Sequence, residues 1–329
     1  MTKLCFIGCG AHAQQVYAPT LRRLADEDDA LSLACCCDLD ASRAAAMADL
    51  AGFQRSSADW EAMLEREKPE AVLLVTPYTF TGEIACRIVR MGIPVLIEKP
   101  PGDSLESCLN IYRAAGEGGA PAMVAFNRRH LPLIRACKEK LAADGTETLQ
   151  NIQYSMYRVH RTEDFFFVTA IHGVDAVRFL AGSDYQDIRF AYQPLPRLGE
   201  GCCNLFMDCA MENGTQAQLQ FLVQSGMVAE RFTLTAADLC YNLNIPIWHG
   251  CDTPGLLERC RCGTRDYLRS GDEISDGRAL FETNGFYEQV RVFLECARGQ
   301  RPLRDDLKSA LQPVEIMDCI RRRQTRYHK

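Results

Sequence analysis

The sequence holds no Cys-x-x-Cys pair, although it carries 17 cysteines in 329 residues. Zinc sites built on paired thiolates use that spacing. Cys260-Arg261-Cys262 and the adjacent Cys202-Cys203 stand too close together to copy it, so no metal is expected. Cys5, Cys35, Cys36, Cys37, Cys86, Cys137, Cys209, Cys240, Cys296 and Cys319 lie inside apolar runs, where cysteine behaves as a small buried hydrophobe. Free thiols in such numbers fit a reducing compartment, and a cytoplasmic location is expected. Basic charge is also lacking. The net charge of −6 argues against a nucleic-acid partner, because phosphate binding wants a basic face. Arg321, Arg322, Arg323, Arg326 and Lys329 read instead as the carboxyl end of a final helix, where the helix dipole favours cations. No apolar run is long enough to span a bilayer, so no membrane partner is expected. Gly8 and Gly10 interrupt the first apolar run at once, which leaves no secretory leader. There is neither an internal repeat nor a low-complexity tract.

What is present is an ordinary globular composition, 47% hydrophobic and 24% charged, in a chain long enough for two domains. The first part alternates strands and helices. Strands are expected at Lys3–Ile7, Leu31–Cys37, Ala71–Val75, Pro94–Ile97 and Ala122–Phe126. Helices are expected at Ala11–Ala25, Ala41–Leu50, from a Ser57 cap to Lys68, at Gly82–Met91 and at Ser104–Ala115. That rhythm predicts a parallel sheet wrapped on both faces. After about residue 145 the strand candidates follow one another: Asn151–Arg158, Asp187–Tyr192, Asn204–Met211, Gln216–Val223 and Glu230–Thr235. Asn213-Gly214 marks a hairpin turn, since both residues tolerate positive φ. One helix, about Ile171–Leu180, interrupts this series, and residues 250–283 read as irregular. The fold class expected is α/β, with an N-terminal Rossmann sheet and a C-terminal α+β domain built on a large, mostly antiparallel sheet. The boundary falls at residues 1–126 and 127–329. Helices at Phe286–Ala297 and Leu307–Arg321 are expected to pack back on the first domain.

Two motifs carry most of the chemistry. Gly8-Cys9-Gly10-Ala11-His12-Ala13 links a strand to a helix, the context in which glycines let the backbone approach a pyrophosphate and a helix amino end faces it. Asp38 closes the second strand, where a carboxylate would accept from both ribose hydroxyls and repel a 2′-phosphate. NAD is therefore expected over NADP, although Arg43 lies close enough in sequence to meet such a phosphate. Thr76-Pro77 ends the next strand, either lining the nicotinamide-side ribose or forming a turn. Glu98-Lys99-Pro100 ends a later strand. Its lysine is either a group that orients a substrate hydroxyl or an exposed residue in a proline turn. His172, in Ala170-Ile171-His172-Gly173-Val174-Asp175, reads as a general base at a helix start or as a buried structural histidine. Asp175, three residues on, shares its face and could orient it.

Taken together, these residues resemble the glucose–fructose oxidoreductase / inositol dehydrogenase / rhizopine-catabolism family (Gfo/Idh/MocA). Gly8-Cys9-Gly10, Thr76-Pro77, Glu98-Lys99-Pro100, Phe126-Asn127-Arg128-Arg129, His172-x-x-Asp175 and the Phe286–Gly299 stretch occur in the family's order. The resemblance implies an NAD(P)-binding Rossmann domain and sugar or cyclitol oxidoreduction, in homodimers or homotetramers that pair the C-terminal sheets. It implies Lys99 and His172 as catalytic residues. Gly8, Gly10, Ala11, His12, Asp38, Thr76, Pro77, Glu98 and Lys99 would bind cofactor, and Arg128, Asp175 and Phe165 would face substrate. One departure stands out. The family's Asp-x-x-x-His pattern is broken, because Val168 stands four residues before His172. Either Glu163 or Asp164 substitutes, or the proton relay reduces to Lys99 and His172, or the chemistry has changed. Phe165, Phe166 and Phe167 then form an apolar pocket wall or belong to the core. Thr81 stands where many members carry histidine.

The function expected is hydride transfer to or from a secondary alcohol or carbonyl carbon of a sugar, glycoside or cyclitol. Two alternatives remain at this level. One is redox-neutral glycoside cleavage, elimination or epimerisation with tightly held NAD. The other is a dinucleotide-binding regulatory protein without catalysis.

Overall fold

The computed structural model describes residues 1–118, 120–145, 149–162, 166–275, 279–303 and 307–329. The chain divides into two compact units, residues 1–127 with 286–311 and residues 128–285 with 312–329.

In the first unit, β1 (Thr2–Ile7), β2 (Leu31–Cys37), β3 (Arg55–Ser57), β4 (Ala71–Leu74), β5 (Val95–Ile97) and β6 (Ala122–Val124) form one sheet in the order β3-β2-β1-β4-β5-β6. Every pairing in it is parallel. β1, β2 and β4 are apolar at nearly every position because helices cover both faces. The sheet order reverses between β1 and β4, which opens a crevice at their carboxyl ends.

The helices are α1 (Ala18–Glu27), α2 (Ala41–Ala51), α3 (Trp60–Glu67), α4 (Tyr78–Arg90) and α5 (Leu105–Gly118). A π turn, Ala13–Tyr17, precedes α1, with the Ala18 N–H donating to the Ala13 carbonyl. Pro19 supplies a local reason, since it has no N–H to give and its ring crowds the carbonyl four residues back. Asp59, not Ser57, caps α3, its carboxylate accepting from the Glu61 and Ala62 N–H groups at 3.0 and 3.1 Å. Ser57 instead closes a small turn with Asp59. The helix Phe286–Ala297 contributes Phe286, Val290, Phe293 and Leu294 to a core shared with Leu4, Phe6, Tyr17 and Leu21.

In the second unit, α6 (Pro132–Ala143) and α7 (Phe167–Ala181) accompany a nine-stranded sheet. Its strands are β7 (Asn151–Tyr157), β8 (Tyr185–Pro194), β9 (Cys203–Met211), β10 (Gln216–Leu222), β11 (Ala229–Ala236), β12 (Leu239–Ile245), β13 (Leu256–Arg261), β14 (Thr264–Ser270) and β15 (Arg326–His328). They run in the order β14-β13-β12-β11-β7-β10-β9-β8-β15. β7 and β10 are parallel and the other pairs antiparallel. Burial alternates along β7, with Ile152, Tyr154 and Met156 inward and Gln153 outward, as in a sheet covered on one face. Short helices α8 (Gly271–Ser275) and α9 (Leu280–Thr283) lead to α10 (Phe286–Ala297) and α11 (Leu307–Arg321).

The structure departs from the sequence reading in further places. Within the stretch read as irregular, residues 256–270 are regular, because β13 and β14 form a hairpin turned by Cys262 and Gly263 at φ 48° and 80°. Charged residues on these strands hide the alternation; Arg259 donates to Asp266 at 2.9 and 2.7 Å. Helix α11 does not stay with the first unit beyond Leu311. Gln312 exchanges two hydrogen bonds with the Tyr185 backbone at 2.9 and 2.8 Å, and β15 then pairs with β8. Cys240, read as buried, is half-exposed. All 17 cysteines are free thiols, and burial pushes Cys5, Cys37, Cys108 and Cys137 up to about 12, which leaves them poor nucleophiles. Among the described residues no helix is long and apolar enough to cross a membrane.

Helix α7 meets the sheet through Gly173. A Cβ there would lie 2.3 Å from Tyr154 Cε1 and 2.9 Å from Phe221 Cε1. Alanine in a helix interior normally gains about 1 kcal/mol over glycine, but overpacking of a tight core costs about 1–3 kcal/mol. Both rings are fully buried, so the second effect wins. Gly173→Ala should lower the denaturant midpoint, by roughly 1 kcal/mol of stability. A raised midpoint would contradict this packing.

Candidate functional site

The β1 strand leads directly into the glycine loop. Gly8 has φ +97°, and a Cβ on it would lie 2.2 Å from the Val75 carbonyl oxygen, so no side chain fits. Gly10 differs, because a Cβ there meets nothing within 4 Å. The first glycine is required by the protein's own packing. The second leaves open space before the loop, where a pyrophosphate would approach the backbone. Helical winding begins at once, with the Gln14 N–H donating to the Gly10 carbonyl at 3.0 Å.

Asp38 joins the end of β2 to this loop. Its Oδ2 accepts the Cys9 N–H at 2.7 Å and its Oδ1 accepts the Asp40 N–H at 3.0 Å. The carboxylate is thereby fixed in orientation while remaining half-exposed. A cleft of about 560 Å³ opens here, lined among others by Gly8, Gly10, Asp38, Thr76 and Pro77. Its size is within the range of small-molecule sites, about 300–1,000 Å³. Leu39 and Phe80, 91% and 62% exposed, border the cleft with apolar surface that a flat ring would cover. Trp60 lines it too, with the Arg87 guanidinium 5.0 Å from its ring centroid. These residues fit the adenosine part of a dinucleotide. Leu39, Trp60, Phe80 and Arg87 were not read from the sequence. The nearest signal was the apolar Leu39 directly after the strand-ending acid.

Thr76 and Thr81 pair through their hydroxyls at 2.9 Å. Thr81 is fully buried and also donates to the Thr76 and Pro77 carbonyls, both at 3.1 Å. These bonds lock the first turn of α4.

The other expected cofactor residues lie apart from that cleft's wall. Ala11 and His12 are exposed at the start of the helix, and Lys99 is half-buried beyond β5. Glu98 turns its carboxylate to protein groups. Its Oε2 accepts the Tyr17 hydroxyl at 2.5 Å, and its Oε1 lies 4.0 Å from His12 Nε2.

In the second unit, His172 does not start a helix. It stands in the second turn of α7, which begins at Phe167 because Phe167, Ala170, Ile171 and Val174 all find buried positions. His172 itself is 8% exposed. Asp175 carries a fork from Arg129, with Nε and Nη2 donating at 2.9 and 2.5 Å. Arg128 donates to Glu230 at 2.8 and 3.4 Å, and Arg158 donates to the same carboxylate. Glu230 is fully buried. Burial alone would raise its pKa, but the two guanidinium groups outweigh it and hold the carboxyl at about 2. Arg158 and Glu230 were missed as a network because 72 residues separate them in sequence. Val168 is half-buried. Phe166 and Phe167 are buried, and Arg161 lies 5.7 Å from the Phe166 ring centroid. Glu163, Asp164 and Phe165 lie outside the described residues. Among the described residues no three His, Cys, Asp or Glu side chains gather as metal ligands.

Comparison with known proteins places this geometry. Residues 2–126 match the model of the GFO_IDH_MocA oxidoreductase family, with an NAD-binding Rossmann fold. Inositol 2-dehydrogenase 2 of Saccharopolyspora erythraea is 28% identical over 235 residues, 67% of this chain and 66% of its own length. The 4-carboxy-2-hydroxymuconate-6-semialdehyde dehydrogenase of Sphingobium sp. SYK-6 is 26% identical over 301 residues, 85% of each chain. A Gfo/Idh/MocA family oxidoreductase from Vibrio cholerae shares the fold at TM-score 0.81 and 20% identity, covering 98% of both chains.

Glu230 makes acid sensitivity testable. Its folded pKa lies below its ordinary 4.5, so its stabilisation is complete above about pH 4.5 and is lost as pH falls toward 2. Glu230→Gln should cost about 3 kcal/mol at pH 7, since it leaves two buried guanidinium groups without an anion. The deficit should shrink near pH 2 in urea titrations. A deficit independent of pH would contradict the assignment.

Proposed function

We propose that the chain is an NAD-dependent dehydrogenase of the Gfo/Idh/MocA oxidoreductases, whose Rossmann model its residues 2–126 match, and that it acts on a secondary alcohol or carbonyl carbon of a sugar, glycoside or cyclitol. The observation that carries the cofactor reading is the Asp38 carboxylate, fixed by the Cys9 N–H at the rim of the cleft. A carboxylate held there accepts ribose hydroxyls and opposes a 2′-phosphate. The inositol relative supports a cyclitol or sugar substrate. When bound, NAD supplies the hydride acceptor at its nicotinamide ring.

The chain's own residues then handle the proton. Lys99 hydrogen-bonds the substrate oxygen and stabilises negative charge on it. His172 takes the hydroxyl proton in the oxidative direction and returns it in the reductive one. The Val168 side chain has no polar atom, so it cannot share that proton. Asp175, already forked to Arg129, holds the scaffold of α7. The nine-stranded sheet, covered on one face, offers the surface for a homodimer or homotetramer, which light scattering would read directly.

Two outcomes test this reading. With NAD and a polyol panel led by myo-inositol, Lys99→Ala and His172→Ala should each lower kcat by roughly 10²–10⁴-fold. NAD dissociation constants should stay near the parent value, and wild-type turnover in His172→Ala would remove its role. Asp38→Ala should weaken NAD binding and narrow the gap to NADP. Tighter NADP than NAD binding by the unaltered protein would overturn the cofactor preference.

A further inference from the structure

Tyr17 is a buried phenol aimed at the residue before Lys99. Its exposure is 1%, and its ring sits among Phe6, His12 and Phe286 at centroid distances of 5.8, 5.9 and 5.7 Å. The hydroxyl donates to Glu98 Oε2 at 2.5 Å. Burial, and then the charge of Glu98, push the phenol well above its ordinary range, so it stays a neutral donor. The Glu98 side chain is 11% exposed, and a carboxylate so enclosed needs such a donor.

The backbone places this donor deliberately. Tyr17 closes the π turn Ala13–Tyr17, and wide turns of this kind are rare and gather at functional sites. The other end of the contact is equally constrained, because the Glu98 N–H donates to the Leu74 carbonyl at 2.9 Å. Glu98 is thus held at its backbone by β4 and at its carboxylate by the helix of the glycine loop. Lys99 projects from the next residue of that anchored segment.

We propose that Tyr17 is a positioning residue for Lys99, acting through Glu98. The hydrogen bond fixes the chain from which the lysine projects, and it engages a carboxylate that would otherwise compete for the lysine ammonium. The inference rests on the role given to Lys99 under the proposed function.

The test is a double-mutant cycle on the whole protein, with NAD and the myo-inositol panel. Tyr17→Phe should lower kcat roughly tenfold, the scale of a charged hydrogen bond, with the NAD dissociation constant within about twofold. Glu98→Ala removes the acceptor and should lower kcat by a similar factor. The double variant should lose no more than either single one, because both remove one contact. A pH signature separates positioning from mere support. In Tyr17→Phe the released carboxylate, which also faces His12 Nε2 at 4.0 Å, can turn to stabilise the lysine cation, so the kcat/KM limb that reports Lys99 should move to higher pH. The double variant, having no carboxylate, should not show that shift. Multiplying losses, an unmoved limb, or a kcat loss matched by lost NAD affinity would each overturn the inference. If Tyr17→Phe fails to fold, wild-type kcat in Glu98→Ala overturns it alone. The premise fails separately, and the inference with it, if Lys99→Ala keeps wild-type turnover; an inactive Lys99→Ala beside an unaffected Tyr17→Phe sinks the inference only.

Discussion

Among the described glycines of the first unit, Gly8 leaves the least room, since a methyl group on it would sit 2.2 Å from the Val75 carbonyl oxygen. Much else follows from that contact. It brings the loop after β1 against the end of β4, so that the crevice at the sheet's reversal is bounded by backbone. The loop takes its remaining support from β2, whose Cys37 carbonyl accepts the Gly8 N–H at 2.8 Å. Asp38 adds to it by accepting the Cys9 N–H at 2.7 Å, which also aims the carboxylate. Asn would offer one good acceptor and no charge, and Glu would add a rotor to a fixed geometry. The residue proposed to select the cofactor is therefore also a brace of the glycine loop.

The second unit solves a different problem. Its sheet must present cationic side chains near α7 without leaving them unpaired in the core. Three arginines there share two buried carboxylates, Arg128 and Arg158 on Glu230 and Arg129 on Asp175. Such pairs contribute little net stability relative to a well-packed apolar core, but removing one partner is costly. Their value lies in orientation. Glu230 ties β11 to the end of β7 and to the turn that follows β6, while Arg129 ties that same turn to α7. His172 stands one turn from Asp175 on the element so held. Both carboxylates are engaged by guanidinium groups.

Much of this was legible in the sequence because local pattern and tertiary role agreed. Gly8, Gly10, Asp38 and Thr76-Pro77 converge on one cleft, as their strand-end positions implied. Phe286–Ala297 was legible to the residue from its apolar spacing, and the final helix was legible as about Leu307–Arg321. The failures share a physical cause. β13 and β14 were invisible because arginine and carboxylate ladders replaced apolar alternation. The Ser57 cap was displaced by Asp59, two residues on and a stronger acceptor. The pairing of Arg128 with Glu230 left no sign because 102 residues separate the two. Long-range ion pairs leave no periodic trace.

Tyr17 belongs to the same class of hidden residue, but its concealment is more complete. It falls on the inward stripe of Ala13, Val16, Thr20 and Leu21, where an aromatic reads as core. Only the hydroxyl distinguishes it from phenylalanine, and only tertiary structure shows that the hydroxyl meets an acid. Pro19 helps explain why the two meet. By denying the helix one N–H and crowding a carbonyl, it favours the wide turn that ends on Tyr17. A proline, a phenol and a glutamate, 81 residues apart from first aromatic to acid, then act as one device. The glycine loop and the Glu-Lys-Pro strand end, which appear as independent motifs along the chain, are mechanically joined by it.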